Sequence, residues 1–232
     1  MAVLFGLLGW AHGGAAGVAV VERPVPFGET RTALTLEYIR AHYDPAASSI
    51  AIVPRMIVVH WTGSRTLVSA LETFRSERLA GRPELARAGE VNVSAHYLVD
   101  RNGTIYHLVP DSRMARHVIG LNRSAIGIEN VGGPRDPLTS AQLEANARLV
   151  RELKQKYPDL RYLIGHHEYG RFRGTPLWEE RDPSYFTGKQ DPGPDFMKRL
   201  RERVSDLGLS SAWTSKEPCS AVVLGESRCA VP

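Results

Sequence analysis

The chain has 232 residues, 43% of them hydrophobic and 23% charged, with a formal net charge of +4. That balance excludes a disordered chain, a fibre and a polytopic membrane protein, and the length suits one catalytic-size domain with short additions. The basic excess is mild and forms no stripe, so nucleic acid is not an expected partner.

Residues 1–21 carry no Lys, Arg, Asp or Glu. The run AVLFGLLGWA at 2–11, followed by GGAAGVA at 13–19, has the shape of a secretory signal, although no basic residue precedes it. The segment is read as a signal. That puts the protein in the periplasm or outside the cell, with no stable membrane insertion. A membrane anchor or an apolar element packed on the domain are the alternatives. Residues 22–50 read as an N-terminal extension with a helix near Leu34–His42. Arg55–His60 (RMIVVH) reads as a buried strand, and Thr66–Ala80 as a helix with an apolar stripe at Leu67, Ala70, Leu71, Phe74 and Leu79. Gly81–Glu90 is a polar loop. Ser94–Asp100 and Thr104–Val109 flank Arg-Asn-Gly as the arms of a hairpin. Ser124–Val131 is a further strand. Thr139–Tyr157 is a helix opened by a capping box of Thr139 and Gln142. Arg161–Gly165 is a strand, and Pro194–Val204 a last amphipathic helix. Strands and helices interleave, which predicts an α/β fold, a central mixed β-sheet flanked by helices. The domain is expected to span 51–206 and to be monomeric. In the tail 207–232, Cys219 and Cys229 are the only cysteines. Their spacing and the signal point to one disulfide, closing a loop of about 11 residues and worth about 3 kcal/mol at most.

Two strands end in histidine, at His60 and at His166–His167. Side chains alternate along a strand, so Met56, Val58 and His60 share one face, as do Tyr162, Ile164 and His166. A carboxylate nearby would complete a three-ligand metal site with a fourth position for water. Asp191, before the Pro192–Gly193 turn, is the candidate. Spacing alone leaves this open, because a histidine ending a strand is more often a satisfied core residue.

Six stretches, in order, resemble the zinc-dependent N-acetylmuramoyl-L-alanine amidases, a family that includes amidase-type phage lysozymes and is related to the peptidoglycan recognition proteins. They are IVVHWTG at 57–63, SAHYLVDRNGTIYHLV at 94–109, ARHVIG at 115–120, NRSAIGIENVG at 122–132, LIGHHEY at 163–169 and KQDPGPDF at 189–196. The resemblance implies one Zn2+ on His60, His166 and Asp191, with His167 a neighbour and Glu168 the family's acidic position. It implies Glu129 as the catalytic glutamate and Lys189 as the catalytic lysine. The implied reaction is hydrolysis of the amide between N-acetylmuramic acid, or its anhydro form, and L-alanine of the stem peptide. Peptidoglycan or muropeptides would be the partners.

Within that frame Ala125 and Gly127 share a face with Glu129 and would leave room beside it for metal and substrate. His117, His96 and Trp61 are candidate substrate contacts, with core roles as the alternatives. Arg171 and Arg173 are candidates for stem-peptide carboxylates. They lie in RFRGTPLWEERDPSYFTG, an insertion that separates His166 from Asp191 by 25 residues, more than in compact family members. The rival function on the same fold is a non-catalytic muropeptide binder. All three ligand positions, Glu129 and Lys189 are present, which favours the enzyme.

Overall fold

The computed structural model describes residues 18–214. Most of the expected signal segment, and Cys219 with Cys229, lie outside the described residues. Six strands form one sheet: β1 Val20–Glu22, β2 Met56–Val59, β3 Tyr97–Val99, β4 Ile105–His107, β5 Ala125–Asn130 and β6 Tyr162–Gly165, in the order β1-β4-β3-β5-β2-β6. The pairs β3–β5, β5–β2 and β2–β6 are parallel, whereas β3–β4 is antiparallel. The sheet is therefore mixed, as expected. Among the described residues five α-helices accompany it: α1 Glu29–His42, α2 Leu67–Arg75, α3 Pro83–Ala86, α4 Ser140–Lys156 and α5 Pro194–Arg203. None is long and apolar enough to cross a membrane.

Strand alternation assigns the two faces. Ile57, Val59, Ile126, Ile128 and Leu163 pack with Leu143, Val150 and Leu153 of α4 and with Met197 and Leu200 of α5. Met56, Val58, Ala125, Tyr162 and Ile164 face the other way, onto Leu34, Tyr38 and Ile39 of α1 and onto Tyr169, Phe172 and Tyr185. Each fully buried aliphatic side chain of this kind contributes about 1.5–3 kcal/mol, so both layers are held by apolar burial. The extension thus supplies one cover of the sheet. Among these residues, β1 pairs in parallel with β4 and crosses the 21/22 boundary between signal and extension.

The capping box at Thr139 and Gln142 is present, and the Gln142 amide also donates to the carbonyls of Val99 and Val131. The hairpin turn lies where Arg-Asn-Gly predicts it, with Gly103 at φ +86°. The helix expected over Thr66–Ala80 stops at Arg75. Ser76 turns extended, its hydroxyl bonds the backbone of Arg78, and Arg78 bridges to Val91. Pairing with residues 90–92 outcompetes a further helical turn. The buried Arg31 guanidinium closes the helix end by donating to the Phe74 carbonyl at 2.7 Å and to that of Ser76. The polar loop 81–90 contains the short α3, which buries Leu85.

Candidate metal centre and cleft

Three parallel strands end side by side. Register pairs Val59 with Ile128 and with Gly165, which brings His60 between Glu129 and His166 at the C-terminal edge of the sheet. Ligands favour such strand ends in α/β sheets. Asp191 arrives from the loop before α5. Its carbonyl accepts from the backbone N–H of His167 at 2.9 Å and lies 3.0 Å from Nδ1 of the same residue. His167 thus pins the aspartate loop to the strand end and stays out of the ligand set.

Nδ1 of His60, Nδ1 of His166 and Oδ2 of Asp191 form a triangle with edges of 3.0, 3.2 and 3.0 Å. Ligand atoms about 2.0–2.1 Å from a tetrahedral ion lie about 3.3 Å apart, so the triangle is within a few tenths of an ångström of such a set. All three residues are buried, and among the described residues they are the one cluster suited to a metal. Burial, with His60 beside it, lowers the His166 pKa to about 4, which leaves the ring neutral and able to donate a lone pair. Burial opposes ionisation of Asp191, but the His166 and His60 rings against its Oδ2 outweigh it and hold the carboxyl well below the usual range. Two imidazole nitrogens and one carboxylate oxygen fit a divalent ion.

Glu129 lines the cleft beside this triangle, with one carboxylate oxygen buried and unpartnered. Burial foremost, with Asp191 adding, pushes its pKa up to about 7 against the pull of His60, Arg82 and Lys189. That is the range in which a carboxylate can take and return a proton. Lys189, Trp61 and His117 also line the cleft.

A sequence profile of the N-acetylmuramoyl-L-alanine amidase family matches residues 51–194. The chain belongs to this family. An endolysin of Klebsiella phage KP32 is 31% identical over 86 residues, covering 34% of this chain and 56% of the phage protein. The Escherichia coli 1,6-anhydro-N-acetylmuramyl-L-alanine amidase AmpD is 32% identical over 134 residues, covering 53% of this chain and 64% of that protein. The matches thus span less than two thirds of either relative. The endolysin amidase LysCS from Clostridium intestinale superposes with a TM-score of 0.51 at 18% identity, over 83% of this chain and 99% of that one, which shows a shared fold.

In this amidase-family chain several expected contacts are placed differently. His96 is fully buried. Its Nδ1 accepts from the N–H of Gly127 and its Nε2 donates to the Arg113 carbonyl, both at 3.0 Å, so it braces the sheet and has no polar atom for a substrate. The His117 ring reaches the cleft, but its nitrogens lie 3.1 Å from Nε2 of His60 and 3.3 Å from the Ala125 carbonyl. It can offer a ligand a ring face and not a hydrogen bond. The room above Gly127 is filled by that ring and not left for metal or substrate. Glu168 accepts from the N–H of Gly165 and pairs with Arg201 and Arg171, so it is a cap, and Arg171 is engaged there. Arg173 lies over the rings of Phe186 and Trp178.

The cleft walls that sequence reasoning missed are Tyr38 from α1, Arg82 and Leu85 from the loop 81–90, and Tyr185 from the insertion. Arg116 ties two of them together: it donates to the carbonyls of Leu85, Gly89 and Val91 and to the Tyr185 hydroxyl. His42 adds a second tie, with Nδ1 2.8 Å from Glu180 and Nε2 3.0 Å from the Ala88 carbonyl. No residue within any one of these segments signals its partner in another.

Proposed function

We propose that this chain hydrolyses the amide between N-acetylmuramic acid, or its anhydro form, and L-alanine of the peptidoglycan stem peptide, using one Zn2+ held by His60, His166 and Asp191. The carrying observation is the convergence of those three ligand atoms beside Glu129. Family membership and the 32% identity to an enzyme named as an anhydromuramyl-L-alanine amidase support the same reading.

Bound zinc supplies a Lewis acid, which polarises the scissile carbonyl and lowers the pKa of a water toward neutrality. Glu129 takes a proton from the attacking water and returns it to the nitrogen of the departing L-alanine. Its burial keeps the proton affinity near neutrality, so both transfers are accessible. Lys189 lines the same cleft, and its ammonium is the group assigned to the negative charge that builds on the carbonyl oxygen, a role worth about 3–4 kcal/mol at comparable sites. Trp61 and Tyr38 line the cleft and offer ring surface to the substrate. The apolar run at 2–11 supports a periplasmic or secreted location, where intact wall is the available polymer.

Digestion of purified sacculi and muropeptides, followed by mass spectrometry, tests this. Zinc-loaded protein should release peptides with new L-alanine amino termini, EDTA should stop release, and Glu129→Ala should slow it about 10²–10⁴-fold. Absence of amide cleavage by zinc-loaded protein on both substrates would overturn the assignment.

A further inference from the structure

We infer that His117 is a positioning residue for the metal centre: it holds the proton of His60 on Nε2, which leaves the Nδ1 lone pair of His60 for the metal. The inference rests on the metal-centre reading above and adds the group that orients one ligand. The chain of hydrogen bonds has one direction. Nε2 of His117 lies 3.3 Å from the Ala125 carbonyl oxygen, which can only accept, so that nitrogen carries the proton. Nδ1 of His117 then has only a lone pair, and it faces Nε2 of His60 at 3.1 Å. His60 must donate there. In the neutral form that binds a metal, an imidazole has a single N–H, so Nδ1 of His60 is bare. That is the atom 3.0 Å from Nδ1 of His166 and 3.2 Å from Oδ2 of Asp191. A metal-bound histidine commonly donates its other nitrogen to a fixed acceptor, and here a second histidine is that acceptor.

The acceptor is itself built in. The Asn122 side chain accepts from the N–H groups of His117 and Val118 at 2.9 and 2.8 Å and donates to the Tyr43 hydroxyl at 2.7 Å, which fixes the turn that carries the ring. Gly127 has no side chain where the ring lies; a Cβ there would come within 2.8 Å of it. The His96 ring meets it edge-on, with centroids 5.8 Å apart. The position is set from three sides by groups that do not touch the ligand triangle.

The test combines zinc affinity, by competition with a chelator, and the tautomers of the histidines, by nitrogen-15 NMR of the zinc-loaded protein. In wild type, His60 and His117 should each carry the proton on Nε2. His117→Phe keeps a ring over Gly127 but removes the acceptor, and should weaken zinc binding about 10–100-fold with the fold retained. His117→Gln restores an acceptor oxygen and should recover part of that loss. His60→Ala is the control. If His60→Ala binds zinc as wild type does, the metal-centre reading falls. If His60→Ala loses zinc while His117→Phe binds within twofold of wild type, the inference is overturned and the centre stands. Should His117→Phe fail to fold, the wild-type spectrum decides: a proton on Nδ1 of His117 refutes the inference.

Discussion

Adding one methyl group at Gly127 should disturb the cleft through a single contact. An ideal Cβ on Gly127 lies 2.8 Å from Cγ and Nδ1 of His117 and 2.9 Å from Cδ2. Carbon contacts normally settle at about 3.5–4.0 Å, so something must retreat by roughly 1 Å. The strand cannot: Gly127 sits in β5 opposite Val58, its N–H donates to the His96 ring, and its carbonyl accepts from the N–H of His96. The ring must move, and with it the bonds to His60 and Ala125. Overpacking of this kind costs about 1–3 kcal/mol. Replacing glycine returns about 0.4–1 kcal/mol by restricting the unfolded chain. Gly127→Ala should therefore lose about 1–2 kcal/mol net, measured by urea unfolding in EDTA. In a His117→Ala background the obstacle is gone, and the same substitution should be neutral or slightly stabilising. A cycle with equal Gly127→Ala costs in both backgrounds would show that the ring is not what the methyl meets.

Two further outcomes follow from buried carboxylates. In metal-free protein the Glu129 pKa lies near 7 in the fold against 4.5 when unperturbed, so the folded state binds the extra proton between those values. Stability should fall as pH rises through that window, and Glu129→Gln should lose the slope; parallel urea stabilities for wild type and variant from pH 5 to 8 would contradict it. Asp111 is also buried. Burial opposes its ionisation, but the His107 ring beside it and hydrogen bonds from Lys156 and Tyr97 outweigh it and hold the carboxyl well below the usual range. Its stabilisation is present above the unfolded pKa of about 3.8 and is lost as pH falls toward the lower folded value. Asp111→Asn should cost about 1.5–3 kcal/mol at pH 7 and less at pH 3, by urea titration. An equal cost at both pH values would mean that charge is not what the site uses.

What could be read from the chain is what depends on near neighbours. The faces of β2, β5 and β6 follow from alternation, which puts His60, Glu129 and His166 each on a defined face of its own strand; that those faces coincide follows from the pairing. The Thr139–Gln142 box and the Arg-Asn-Gly turn are equally local. The strand β1 is a three-residue pairing with a partner about 85 positions away, and nothing in Val20–Glu22 marks it. The stop of α2 at Arg75 depends on Val91 and Arg31, both distant in sequence. The joining of Asp191 to two strand ends was carried by the family motifs, since a 25-residue insertion erases any spacing rule. The histidines show the limit most clearly. His96 and His117 stand in similar apolar stretches, yet one spends both nitrogens on backbone and the other reaches His60 at 3.1 Å. Only the packing of β3, β5 and the turn at 117–122 separates them.

That packing also explains why so many imidazoles can share one place. His60, His117 and His166 meet edge to face, with centroids 5.1 and 4.4 Å apart, and His96 adjoins His117. A proton added to one ring would leave a buried cation beside its neighbours. Burial, then mutual repulsion, lowers His117 well below its ordinary range and His166 to about 4, while burial brings His96 to about 4. At neutral pH these rings therefore present lone pairs, the state in which histidine binds a metal. Asp191 is held ionised among them, so the donor set carries one negative charge for a dication. A bound dication would leave one positive charge over, next to Glu129. Without the ion, the Glu129 carboxyl holds its proton up to about pH 7 because its charge would be buried. A dication held by the triangle would offset that charge and favour the ionised carboxylate. On the proposed mechanism, filling the ligand triangle and freeing Glu129 as the base would be coupled by one electrostatic field.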